Sequence, residues 1–222
     1  MLHLSTITFL KKLAKNNNRE WFEKNRGSYE DAKADMIQLL TAVIGSFGKK
    51  DTTIAELQGK DCLYRINRDV RFSKDKSPYK KNMAASLIHG GKKSDLAGYY
   101  IHIEPGNSII GGGKYMTDPP MLKRIRQEID YNWEEFRGII RNKKFVSAYG
   151  DIDKSPEFSL SREPRDYEKD NPAIDYIKLK SWIAFRPLTD TELTEKTLVK
   201  KIVQTFEALQ PLINFLNRAI AE

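Results

Sequence analysis

Residues 65–82, RINRDVRFSKDKSPYKKN, hold seven cations and two carboxylates, with an aromatic or a proline between most of the clusters. Arginine's planar fork grips phosphate or carboxylate through two parallel hydrogen bonds, and lysine adds a compact charge. The mixture suits a phosphorylated ligand or a nucleic-acid backbone. Arg65, Arg68, Arg71, Lys76, Tyr79 and Lys80 are therefore the candidate ligand-binding residues, with Asp69 and Asp75 placed to orient the forks. The same residues also have a plainer reading. Asp69 pairs with Arg68 or Arg71 merely to fix a turn, and exposed pairs of that kind contribute little.

Residues 98–104, GYYIHIE, alternate so that Tyr100, His102 and Glu104 share one face of a strand and Tyr99, Ile101 and Ile103 the other. A carboxylate beside a histidine fixes the imidazole tautomer and raises its proton affinity. His102 and Glu104 are thus the candidate catalytic pair, with Asp69 a third candidate from the basic loop. The alternative is a half-solvated sheet face carrying an ordinary hydrogen bond. His89 can join them from a neighbouring strand, yet three scattered histidines make no metal-ligand spacing, so neither a metal nor a cofactor is expected. GGGK at 111–114 resembles a phosphate loop only superficially. That motif needs Ser or Thr directly after the lysine at the start of a helix, and here Tyr115 follows Lys114. Glycines within a strand instead mark a bulge or the close approach of a backbone or ligand, so a glycine-lined pocket wall is one expectation.

The elements that must carry these groups read as α+β. Tyr29, Ala32, Met36, Leu39, Leu40, Val43 and Phe47 form a helical stripe that ends at Gly48, after a shorter helix around Phe9, Leu10 and Leu13. NNN at 16–18 supplies caps between helices, and Trp21 and Phe22 staple the junction. The middle turns to short strands over 63–66, 83–89, 98–104 and 109–115, the last three joined by hairpin-type turns and so antiparallel. Asp118 caps and Pro119 opens a helix to about Ile129, another runs over 133–140, and a third covers 174–179. Residues 153–172, with three prolines among many charges, read as an extended loop, ordered or mobile. SWIAFR at 181–186 is strand-like, and Leu198 to Ile220 is a last helical stripe that Pro211 interrupts.

No repeat or composition break divides the 222 residues, so one domain over 1–222 is expected, an antiparallel β-meander packed against N- and C-terminal amphipathic helices. The net charge is +8, of which the 65–82 stretch supplies +5, so the basic excess is local. No apolar run approaches the roughly 20 residues that span a bilayer. The N-terminal residues lack a basic leader and reach Lys11 and Lys12 too soon for a secretory segment. With Cys62 the only cysteine, a reducing cytoplasm is the expected compartment.

Five blocks carry a resemblance: FLKKLAKNNNREWFEKNRGSYE (9–30), YRINRDVRFSKDKSPYKKN (64–82), GYYIHIEPGNSIIGGGKY (98–115), REPRDY (162–167) and LKSWIAFRPLTD (179–190). Together they resemble the bacterial and fungal family called domain of unknown function 2461, from about Leu4 to Arg218. The resemblance implies a complete family member and brings no reaction, ligand or residue role with it. Arg65, Arg68, Asp69, Arg71, Phe72, Asp75, Lys76, Pro78, Tyr79 and Lys80 fit the family's signature block. Asp166, where a glycine usually follows Pro-Arg, and Lys114, where an apolar residue is common, depart from it.

Three readings follow. In the first, residues 65–80 line an anion site for a phosphorylated small molecule or nucleotide. It is enzymatic only if Tyr100, His102 and Glu104 face the same cavity. In the second, the cations with Lys92 and Lys93 form an open nucleic-acid-binding stripe on which Phe72 and Tyr79 offer stacking faces. In the third, the stretch is purely structural, within a protein-interaction domain.

Overall fold

Helix α1, Leu4–Lys15, forms because Thr6, Ile7, Phe9, Leu10 and Leu13 fall on one buried face. No side chain of its own caps its N-terminus. The buried carboxylate of Asp35 does so from a distance, accepting from the His3 N–H at 2.8 Å and the Thr6 hydroxyl at 2.6 Å. After a turn, Asn18 accepts from the Trp21 N–H and starts α2, Arg19–Lys24. Asp35 itself lies on α3, Arg26–Phe47, which contacts α1 and buries Ala32, Met36, Leu39, Leu40 and Val43. The computed structural model describes residues 1–221 of the 1–222 read as one domain, Glu222 lying outside them.

The remaining elements are α4 (Gly59–Cys62), β1 (Met83–Leu87), β2 (Gly98–Ile103), β3 (Ser108–Lys114), α5 (Pro119–Tyr131), α6 (Trp133–Ile140), α7 (Lys143–Tyr149), α8 (Ile174–Ile177), β4 (Trp182–Leu188), α9 (Asp190–Thr194) and α10 (Leu198–Ala221). The fold is α+β, with one antiparallel sheet of order β1-β2-β3-β4. The expected strand at 63–66 is not part of it. Leu63 meets Ala85 at a single bridge and the Tyr64 N–H reaches Ala84, after which the chain leaves the sheet edge. Trp182–Leu188 supplies the fourth strand instead. Helices α4, α7 and α9 escape a sequence reading because four to seven residues are too few to show a period.

Gly111–Gly113 set the spacing of the last three strands. A Cβ on Gly111 would overlap the Ala184 carbonyl oxygen, one on Gly112 that of Gly98, and one on Gly113 that of Trp182. Gly112 and Gly113 also have φ of +152° and +126°, which side chains rarely adopt. The glycines therefore serve close contact between strands.

The described chain divides into two compact units. The first holds residues 1–92, 100–110 and 187–204. In it Phe22 stacks on Tyr79 at 3.9 Å between ring centroids and also meets Tyr29 and Phe9. The second holds residues 93–99, 111–186 and 205 onward. There Tyr99 packs on Phe206, and Phe136 on Tyr176 and Phe215. Within it, residues 153–172 have no helix or strand but lie along 178–183 through Asp153 N–H to Ile183, Leu160 N–H to Lys178 and Lys180 N–H to Phe158.

Candidate anion-binding site

The basic stretch folds as an arch. Asn67 pairs with Tyr79, the Arg68 N–H donates to the Pro78 carbonyl at 2.9 Å, and the Lys80 N–H donates to Ile66 at 2.8 Å. Residues 69–77 form its span. Asn17 clips the base: its amide donates to the Tyr79 carbonyl at 2.8 Å, and its oxygen accepts from the Tyr79 N–H at 3.1 Å. The Tyr79 ring is buried beneath Phe22, so it anchors the arch by packing.

The span is braced from within. Arg68 donates to Asp75 at 2.6 Å, to the Ser77 carbonyl at 3.1 Å and to the Ser73 hydroxyl at 3.3 Å. Asp75 also accepts from the hydroxyl and the N–H of Ser77. The Ser77 hydroxyl, then its N–H and the Arg68 guanidinium, hold the Asp75 carboxyl well below its usual range. Asp69 clamps Arg71 with bonds of 3.0 and 2.7 Å, and the Arg71 side chain is what lowers the Asp69 pKa most. Lys76 crosses the span to the Val70 carbonyl at 3.0 Å.

Two carboxylates thus neutralise two arginines, and the cations of the stretch without an ion pair among the described residues are Arg65, Lys74, Lys76, Lys80 and Lys81. Lys80 sits 5.5 Å over the Tyr64 ring, shared with Lys92 at 5.6 Å. Burial first, and Arg65 second, lower the Lys80 pKa. Arg65 and Lys74 are exposed.

On one flank the arch lines a groove of about 460 Å³ with Val70, Lys76, Ser77 and Pro78 facing Asn17, Asn18 and Arg19. Of the candidate ligand-binding residues only Lys76 lines it. Arg19 makes no ion pair and is exposed, and no pattern in the sequence connects it to a loop more than fifty positions on.

The polar face of β2 forms as its alternation implies. The Tyr100 hydroxyl lies 3.3 Å from His102 Nδ1, and His102 Nε2 lies 3.0 Å from Glu104 Oε2. Both His102 and Glu104 are half-buried. Glu104 lines a different groove of about 320 Å³, with Leu10, Lys11, Ala14, Lys15, Lys81 and Pro105. Lys11 there is paired with Asp190 at 2.8 Å. Glu104 and the groove-lining Lys76 therefore belong to separate concavities, and His102 lines neither. His89 bonds through Nδ1 to the Thr53 carbonyl at 3.0 Å. Lys114 is buried and donates to the Asp95 carbonyl at 2.5 Å. No group of three or more His, Cys, Asp or Glu side chains among the described residues is placed to hold a metal, and none of the described helices is long and apolar enough to cross a membrane.

Comparison with curated proteins and with solved structures found no match. A family model does match, over residues 5–215, which is nearly the whole chain. The chain belongs to the family described as conserved hypothetical protein, domain of unknown function 2461.

Proposed function

We propose that the protein binds anions on the basic arch, and that the ligand is phosphorylated, a small molecule or a nucleotide. One observation carries this reading: a self-braced loop leaves five cations without ion pairs and turns one of them, Lys76, into a groove opposite Arg19. Its volume of about 460 Å³ falls within the range of small-ligand sites, roughly 300 to 1,000 Å³. Binding is favoured over catalysis, since the proton-transfer candidates His102 and Glu104 do not line that groove and Asp69 is engaged by Arg71.

The structural reading has specific support of its own, from the bonds of Arg68, Asp69, Arg71 and Asp75 within the arch. Arg68 and Tyr79 build the arch, Arg65 and Lys80 present charge, and Lys76 both struts the span to Val70 and lines the groove. A reducing, cytoplasmic setting accords with a single, buried cysteine whose thiol burial keeps protonated.

The test is a thermal-shift panel of phosphorylated metabolites and nucleotides on the wild type, Arg19→Ala and Lys76→Ala. Ligands that bind the native state raise its melting temperature. A compound-specific rise lost in both variants supports the reading. A rise unchanged in both, or none with any compound, contradicts it.

A further inference from the structure

Phe72 stands at the crown of the arch with 95% of its surface exposed, more than any other large hydrophobic side chain described. A slack loop would let such a ring fold back onto the protein. This loop is held open by the Arg68, Asp75 and Ser77 bonds, by the Lys76 strut to Val70 and by the Asn17 clip. The ring's neighbours are cationic. The Arg71 guanidinium, fixed in place by Asp69, lies 5.8 Å from its centroid, and exposed Lys74 follows two residues later without an ion pair.

We infer that the arch binds single-stranded nucleic acid, one base stacking on Phe72 while phosphates run along Lys74, Lys76 and Arg65. The inference rests on the reading of the arch as an anion site and extends it to a polymer whose phosphates the same cations hold. A base has a flat face for the ring, and stacking tolerates any sequence. Duplex DNA hides those faces inside its own stack. A lone mononucleotide fits poorly at the crown, because sites for small ligands enclose most of the ligand and the exposed ring has almost no protein covering it. A polymer needs no enclosure, since several phosphates share the binding. A lipid surface is the less apt partner. The span 69–77 offers only Val70 and Phe72 as apolar residues and carries two carboxylates.

The test measures fluorescence anisotropy of a labelled oligothymidylate of about twelve nucleotides, within the usual span of such sites. An unlabelled polyphosphate of equal charge and vesicles of phosphatidylserine with phosphatidylcholine are run beside it. The wild type is expected to bind the oligonucleotide with affinity that falls steeply from low to physiological salt. Phe72→Ala should weaken that binding roughly tenfold with the salt slope unchanged, and Phe72→Trp should restore it. Lys74→Ala should lower the slope by about one. Polyphosphate should bind wild type and Phe72→Ala alike. The exposed ring makes little packing contribution, so equal melting temperatures should accompany these results.

Equal binding of oligonucleotide and polyphosphate, indifferent to Phe72→Ala, overturns the inference and leaves the anion reading standing. Binding of neither overturns both. Phe72-dependent binding to the vesicles without oligonucleotide binding overturns the inference in favour of a lipid surface.

Discussion

Asn17 and Tyr79, 62 positions apart in the chain, exchange two hydrogen bonds of 2.8 and 3.1 Å between one side-chain amide and the backbone N–H and carbonyl of one residue. The amide copies the pattern by which one strand holds another, and it does so at the base of the arch, where Tyr79 also packs under Phe22 of α2. Asn17→Ala removes both bonds and leaves the part-buried N–H and carbonyl of Tyr79 without them. It is expected to lower stability by about 1–2 kcal/mol in urea unfolding. Tyr79→Phe should leave stability within about 0.5 kcal/mol, because the ring and not the hydroxyl makes the recorded contacts.

Arg68 and Arg71 are predicted to behave oppositely although both are paired with aspartates. Arg68 is only 26% exposed and ties three points of the span together, whereas Arg71 is 76% exposed and touches only Asp69 and the neighbouring Phe72 ring. Arg68→Ala should lower the melting temperature by several degrees and raise amide exchange across 69–77. Arg71→Ala should leave the melting temperature where it was. Equal effects in calorimetry would contradict the bracing role.

Gly112→Ala should be among the most damaging single substitutions in the chain. Its methyl would overlap the Gly98 carbonyl and force a backbone angle of +152° on a residue with a Cβ. A loss of at least about 3 kcal/mol, or failure to accumulate as soluble protein, is expected. A well-folded Gly112→Ala with wild-type stability would mean the three strands lie farther apart than described.

Glu192 gives stability a specific pH dependence. The Lys201 ammonium at 2.8 Å, then the Thr189 N–H, lower its pKa from 4.5 to about 2. The folded value is the lower one, so the unfolded chain binds the proton more readily. The contribution is fully present above the unfolded value of 4.5 and is lost as pH falls toward about 2. Glu192→Gln should accordingly lower the melting temperature at neutral pH and flatten its fall across that window.

The sequence was informative where side chains repeat with a period and reticent where contacts are made across long separations. The stripes of α3 and α10, the Pro119 start of α5 and the alternation of Tyr100, His102 and Glu104 follow from local spacing, and each appears in the structure. The α+β class and the strand at 182–188 were legible for the same reason. The short run at 63–66 has strand-like residues but is drawn off the sheet by the arch it begins, a consequence of Asn67 meeting Tyr79 twelve residues later. Charge counting located the basic stretch. It did not show that Arg68 and Arg71 spend their charge inside it, because the pairing of a fork with one carboxylate or another depends on the turn geometry. Arg19 and Asn18 enter the groove through folding alone.

The most direct test of the account follows isotope-labelled amide resonances while inorganic pyrophosphate is added. Progressive, saturable shifts are expected, confined to Asn17, Asn18, Arg19, Val70, Lys76 and Ser77 and their neighbours and weakened in Lys76→Ala. Shifts centred instead on Lys11, Lys15 and Lys81, or no saturable shifts at all, would contradict the assignment of the arch as the anion site.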